Sequence, residues 1–299
     1  MKSDENGISI ITCSIKPETC SKMLESVRKT IGINFEAIVF DNREKGYGLC
    51  QVYNTCAKNA KFPYLCFVHE DIIMSTENWG EHMVTFAQKT QNCGIIGFAG
   101  GTIAYKNFLE WGFGPKGRYR YYGSATGKGK VKTAGELIYK YNNPENRDFA
   151  KVITTDGLFM FVSKEIWENN LFDETHIKGF HFYDADFSLN ISLKYQNYVF
   201  LRADIYHFSG GNRNSEYLES ALTFQKKWKN ELPKIIEGQK YCITEELDNT
   251  CKLLFQLIHN GFNLKNCITH IIHINGYLFF FFMLGFMPIK AIKKIIYKI

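Results

Sequence analysis

"YLCFVHEDII" (residues 64–73) decides how this chain folds. Tyr64 to Val68 form an apolar and aromatic run of strand length. The run stops at His69, Glu70 and Asp71. An imidazole and two carboxylates directly after a buried strand either begin a solvated loop, hold a cation or move protons.

Upstream, "GISIITCSI" (7–15) and "FEAIVFDN" (35–42) read as two more strands. Between them "PETCSKMLESVRKTI" (17–31) reads as a helix with Pro17 near its start. "YGLCQVYNTCAKNA" (47–60) follows as a helix, with Leu49, Val52, Tyr53, Cys56 and Ala60 on one face. Downstream, "NWGEHMVTFAQKT" (78–90) is helical and "CGIIGFAGG" (93–101) is a strand ending in glycines. No helix opens directly after Gly97, Gly100 and Gly101, so they read as points of close backbone approach rather than a phosphate loop. This alternation predicts a three-layer α/β/α sandwich around a mostly parallel sheet.

From 102 to about 150 the period is lost in "EWGFGPKGRYRYYGSATGKGK" and its flanks. "KVITTDGLFMFVSKEIW" (151–167) restores a strand leading into a helix. "DADFSLNISLKYQ" (184–196) reads as a helix, and "YVFLRADIYHFSGG" (198–211) as one last strand and its turn. After about 235 the chain turns helical, which sets the expected division: residues 1–235 as the α/β domain, 236–299 as a helical, apolar and basic region.

The net charge of +6 is uneven: the last eleven residues, "IKAIKKIIYKI", carry four lysines and no acid, leaving about +2 for the rest. That body gives no argument for nucleic-acid binding. Nine cysteines without a C-x-x-C pair argue against disulfide scaffolding and zinc. "MKSDENG" runs straight into a strand rather than a leader, so a cytoplasmic location is expected.

Ligands of open α/β sheets bind at the carboxyl ends of the strands. Asp41, His69, Asp71 and His207 close apolar runs, and Asp156, Asp184 and Asp186 fall nearby in such an architecture. Acids with imidazoles at one crevice suit a divalent ion, Mn²⁺ before Mg²⁺, with acid–base chemistry beside it. Each candidate also has a plain structural reading. Asp41 forms turns, His69 and His207 sit hydrogen-bonded in a core, and Asp184 and Asp186 favour a helix N-terminus.

Over roughly residues 7–230 the order of these motifs resembles the family-2 glycosyltransferases with a GT-A fold. The resemblance implies a donor site made of Thr12 and Ser14 in "SIITCSIKPE", Asp41 in "IVFDN", Asn54 in "VYNTCAKNA", and His69 with Asp71. The last two stand at the family's D-x-D motif, here in the variant form His69-Glu70-Asp71. It implies a metal held by Asp71, His207 and His69, and acceptor contacts from Trp111, Asp156, Gly157 and Asp186. Asp184 in "GFHFYDADFSL" matches the catalytic base, with Tyr183 where an acid often stands. On this resemblance the strand before His69 is the edge strand of a nucleotide-sugar cleft; Glu70, pointing away from its neighbours in an extended chain, is expected to be solvated rather than catalytic. The expected reaction is metal-assisted, inverting transfer of a sugar from a UDP-linked donor to a glycan or lipid-linked saccharide. The chief rival is a catalytically silent glycan-binding or scaffold partner, which the altered D-x-D keeps open. A nucleotidyltransferase is disfavoured because no Gly-rich, basic loop follows the first strand.

The segment 268–288 is apolar but interrupted by His270, His273 and Asn275, and its uninterrupted core is shorter than the ~20 residues of a spanning helix. Beyond it, Ile289, Ile292, Ile295, Ile296 and Ile299 oppose Lys290, Lys293, Lys294 and Lys298 on a helical wheel. That pattern predicts peripheral attachment to an anionic membrane at the inner face of the cell. A partner chain and the domain itself are the other docking places for such a helix.

Overall fold

The computed structural model describes residues 6–109, 121–128, 137–208 and 214–286. Trp111 and the rest of residues 110–120, the "SGG" at 209–211 and the basic segment 287–299 lie outside the described residues.

The chain opens with β1 (Gly7–Ser14), α1 (Pro17–Thr30), β2 (Asn34–Asp41), α2 (Leu49–Lys58) and β3 (Tyr64–Val68). Next come β4 (Ile72–Met74), α3 (Trp79–Lys89), β5 (Cys93–Gly97), β6 (Ala99–Gly101) and β7 (Ile103–Ala104). The middle of the chain supplies β8 (Tyr121–Lys128), β9 (Leu137–Asn142), β10 (Phe149–Val152), β11 (Thr154–Thr155) and β12 (Phe159–Ser163). Then follow α4 (Lys164–Glu168), α5 (Tyr183–Ile191), β13 (Gln196–Phe200), β14 (Ile205–His207), α6 (Ser215–Lys227) and β15 (Lys234–Ile235). Three helices end the described chain: α7 (Ile243–His259), α8 (Leu264–Asn275) and α9 (Tyr277–Phe286).

The central sheet has seven strands in the order β10-β13-β5-β12-β3-β1-β2. β1, β2, β3, β5 and β13 run one way, while β12 and β10 run against their neighbours. The sheet is therefore mostly parallel, as expected, and the carboxyl ends of its parallel strands gather along one edge. Because β12 is antiparallel, the turn that precedes it, Asp156–Leu158, falls on that same edge beside the end of β3. The His69 backbone N–H donating to Leu158 O at 3.0 Å joins the two.

Three expectations change. β3 is not an edge strand but an inner one, flanked by β1 and β12. Its apolar residues Leu65, Cys66, Phe67 and Val68 are all buried, which only an interior position allows. The stretch 198–211 is not one strand: it leaves the central sheet after Phe200 and joins a second sheet as β14. Likewise 93–101 breaks at Phe98 into β5 and β6. The second sheet, β11-β6-β8-β14-β4 with β9 on β8, crosses the carboxyl edge of the first. Its close pairings need the glycines: a Cβ on Gly100 would lie 2.4 Å from Thr154 O, and Gly100 pairs opposite Thr155.

The C-terminal helices share the core of the domain. Leu247, Leu254, Leu257, Cys267, Ile271 and Met283 belong to the same buried cluster as Tyr53, Phe67 and Phe187. The start of α7 is pinned by the buried Glu246 carboxylate, which accepts the backbone N–H groups of Lys106 and Asn107 at 3.0 Å each. His270 of α8 meets Gln225 of α6 at 2.7 Å. Burial pushes the Glu246 carboxyl above its ordinary range.

Candidate active site

β3 ends at Val68 and the chain turns through His69, Glu70 and Asp71 into β4. β4 pairs antiparallel with β14, setting His207 opposite Ile72, and Phe208 N–H donates to Asp71 O at 3.0 Å. That pairing brings His207 to Asp71, with Nε2 3.3 Å from Oδ1. The His69 and His207 rings lie 5.5 Å apart. One ligand atom from each of His69, Asp71 and His207 falls within 4.8 Å of the others, and all three residues are half-buried.

Two imidazoles and a carboxylate form a donor set for a borderline divalent ion rather than for an all-oxygen cage. Metal bonds of about 2.1 Å place neighbouring ligand atoms about 3.0–3.4 Å apart. A spacing within 4.8 Å therefore fits an ion after a small inward movement of the side chains. Burial, with the His207 imidazole facing it, lowers the pKa of His69 and favours the neutral, ligating form.

The base candidate enters from the other side of the 156–158 turn. Phe182 caps α5 with φ of +64°, a left-handed conformation costly for an aromatic residue. The turn it makes projects Tyr183 and Asp184 toward Gly157. Gly157 N–H donates to Asp184 Oδ2 at 2.9 Å, and the Tyr183 hydroxyl donates to Gly157 O at 3.0 Å. A Cβ on Gly157 would lie 2.1 Å from that hydroxyl oxygen, so only glycine fits. Burial, then the charge of Asp156, pushes the Asp184 carboxyl up to about 7. Asp156 itself accepts Leu158 N–H at 2.9 Å and so shapes the turn.

Tyr183 links the two halves. His69 Nε2 lies 2.6 Å from its hydroxyl oxygen. With the single Tyr183 proton given to Gly157 O, the hydroxyl accepts from His69 Nε2–H, and Nδ1 is the ring nitrogen left with a lone pair. No feature of the sequence beyond the tyrosine's place before Asp184 announced this role.

The remaining candidates separate. Ser14 donates to Glu70 Oε2 at 2.7 Å, and the backbone N–H groups of Ile15 and Lys16 donate to the same carboxylate at 3.3 and 3.0 Å. Glu70 is thus not a solvated bystander; it holds the β1–α1 turn at the cleft edge. Thr12 is fully buried within β1, its hydroxyl without a partner among the described residues. Asp41 stands at the end of β2 opposite Ser14, exposed and bound by the Arg43 guanidinium, which holds its carboxyl down at about 2. Asn54 is buried and its amide is consumed by the structure: it donates to Phe172 O and Glu174 Oε1 and accepts from Trp167 Nε1 and Phe172 N. It welds α2 to the loop before α5 and does not reach the cleft. Asp186 is 2% exposed and accepts from Lys227 Nζ and Trp228 Nε1, so it fastens α6 to α5.

No curated protein matches this chain. Among solved structures, GalNAc-T7 crystallised with UDP, GalNAc and Mn²⁺ superposes with a TM-score of 0.51 at 10% identity, over 90% of this chain and 55% of that one. The chain therefore spans about half the length of that protein. TarS of S. aureus, residues 1–349, aligns over 90% of this chain and 70% of that one at 11% identity, with a TM-score of 0.43. The model of the glycosyltransferase-like family matches residues 9–218, which run from within β1 past β14 and hold the whole acid–imidazole cleft. The chain belongs to that glycosyltransferase-like family, and its fold is GT-A.

Proposed function

We propose that this chain moves a sugar from a UDP-linked donor to a saccharide acceptor, free or lipid-linked, with inversion at the anomeric carbon. The observation that supports it is the arrangement of His69, Asp71 and His207 across the 156–158 turn from a carboxyl held near neutrality. His69, Asp71 and His207 would hold Mn²⁺, or Mg²⁺ in its place, and the ion would supply positive charge for the departing diphosphate. The chain's own residues do the rest. Asp184, ionised, takes the proton of the acceptor hydroxyl as its oxygen bonds to the anomeric carbon. The bond between that carbon and the diphosphate oxygen breaks, and the nucleoside diphosphate leaves with the electron pair. A base acting opposite the leaving group gives inversion, the logic of inverting glycoside hydrolysis with a sugar hydroxyl replacing water.

Tyr183 orients His69, and Gly157 N–H fixes the Asp184 carboxylate. Asp41 and Ser14, at the ends of β2 and β1, border the donor side. Asp156 borders the acceptor side through the 156–158 turn. Work at the inner face of the cell membrane, on a growing surface glycan, completes the proposed role. The test is release of nucleoside diphosphate across a panel of UDP-, GDP- and TDP-sugars with Mn²⁺, with saccharide acceptors present. Turnover confined to a UDP-sugar, lost with EDTA, is the expected result. Failure of every donor to bind or react, with and without metal, overturns the enzyme reading in favour of a silent scaffold.

A further inference from the structure

We infer that α9 is the element through which this protein lies on an anionic lipid surface. The inference deepens the membrane part of the proposed function and is independent of the donor chemistry. The apolar segment 268–288 is not one unit. α8 is fastened to the domain: Cys267, His270, Ile271 and Ile274 are buried, and Asn107 Nδ2 donates to Asn275 Oδ1 at 3.1 Å. Gly276, with φ of +87°, then breaks the helix. A left-handed residue at this point redirects the chain without a side-chain clash.

Beyond the break, α9 reads "YLFFFFMLGF" with no charged residue. At 100° per residue, Met283 and the part-buried Phe279 and Phe280 share the side packed on the core. Tyr277, Leu278, Phe281 and Leu284 share the other, and they are 69%, 75%, 65% and 36% exposed. Four large apolar side chains on one face of one helix are more than the scattered exposure of ordinary surfaces. The helix is anchored at its start by α8, so that face is presented in a fixed orientation.

The occupant follows from length and charge. The ten described residues of α9 span about 15 Å, half the ~30 Å of a bilayer core, a length suited to lying in an interface. No helix among the described residues is long and apolar enough to span. The sequence directly after α9 carries Lys290, Lys293, Lys294 and Lys298 with no acid. A protein partner with an apolar groove would not call for four cations in the sequence that follows the apolar helix. A bilayer with anionic headgroups over hydrocarbon matches both features. The tyrosine at the start of the helix is a residue type suited to the headgroup level.

The experiment is flotation of the full-length protein with vesicles of phosphatidylcholine alone and of phosphatidylcholine with 30–40%, in round terms about a third, phosphatidylglycerol. Wild type should float with the anionic vesicles and not with the neutral ones. The pair Leu278→Gln and Phe281→Gln together should lower the partition at least tenfold. Lys290, Lys293, Lys294 and Lys298 all changed to Gln should do the same and remove the dependence on anionic lipid. Thermal unfolding of the Leu278→Gln/Phe281→Gln variant should match wild type, since those two side chains face away from the core. Wild-type flotation that Leu278→Gln/Phe281→Gln leaves intact overturns the role of α9 while the membrane reading stands. No flotation of wild type overturns both. A wild-type dimer that the same pair converts to monomer, without vesicle binding, assigns the face to a second copy of the chain and also overturns the inference.

Discussion

Asp184→Asn should make this protein more stable and stop its chemistry. The carboxyl sits at about 7 instead of its ordinary 3.8 because burial, and then Asp156, penalise the charged form. Between those values the native state binds more protons than the unfolded chain, so stability falls as pH rises from about 4 to about 7. Above 7 the whole cost is present. At about 1.4 kcal/mol per tenfold change, the rise corresponds to about 4 kcal/mol as a ceiling. Asparagine keeps an acceptor for Gly157 N–H but brings an amide group that needs a partner, which returns roughly 1 kcal/mol or more. A net gain of about 1–3 kcal/mol at pH 8 follows, or roughly 2 °C or more in Tm per kcal/mol for a chain of this size. The assay is thermal unfolding of wild type and Asp184→Asn in EDTA from pH 5 to 8.5, beside donor turnover of the metal-loaded enzymes. The gap should be widest at pH 8 and nearly closed by pH 5. Turnover should fall by about 10²–10⁴, and wild-type turnover should itself decline as pH drops below about 7. Equal stability across the pH range would refute the burial argument; undiminished turnover would refute the base.

Gly157→Ala forces a methyl to within 2.1 Å of the Tyr183 hydroxyl and 2.9 Å of Asp184 Cβ. It should cost about 1–3 kcal/mol by overpacking and reduce turnover, read by denaturant titration and steady-state kinetics. Asp71→Ala and His207→Ala should each weaken Mn²⁺ binding by at least tenfold, measured by electron paramagnetic resonance of free Mn²⁺, while leaving Tm in EDTA within a few degrees. Tyr183→Phe removes the contact that orients His69; metal affinity should fall about 10–100-fold, with Asp71 and His207 still in place. Lys227→Met leaves the Asp186 carboxylate buried with only Trp228 Nε1 as donor. It should destabilise by about 2–4 kcal/mol without changing donor affinity.

Much of the site was legible because strand ends are local signals. The apolar runs, their spacing and the polar residue that closes each one placed His69, Asp71, Asp156, Asp184 and His207 at one edge, and they meet there. The residues whose surroundings could not be read this way are those whose partners are remote. Asn54 looks like any helix-borne asparagine until Phe172, 118 residues later, supplies its carbonyl. Glu70 looks solvated until Ser14, 56 residues earlier, turns toward it. Asp186, two residues from Asp184, differs from it because α6 delivers Lys227 and Trp228 to its side of α5.

By itself, then, the sequence determined the alternation of strands and helices, the direction of the parallel strands and the place of the acids and imidazoles at their ends. Hydrophobic periodicity and turn chemistry act over a few residues and need no tertiary context. The tertiary structure decided which side chains face the cleft. It broke 198–211 into two strands so that β14 could pair with β4 and carry His207 to Asp71. It also bridged His69 to Gly157 through Tyr183 and raised the Asp184 carboxyl toward neutrality. Desolvation and side-chain orientation are sums over neighbours brought together from distant parts of the chain, and no window of sequence contains them.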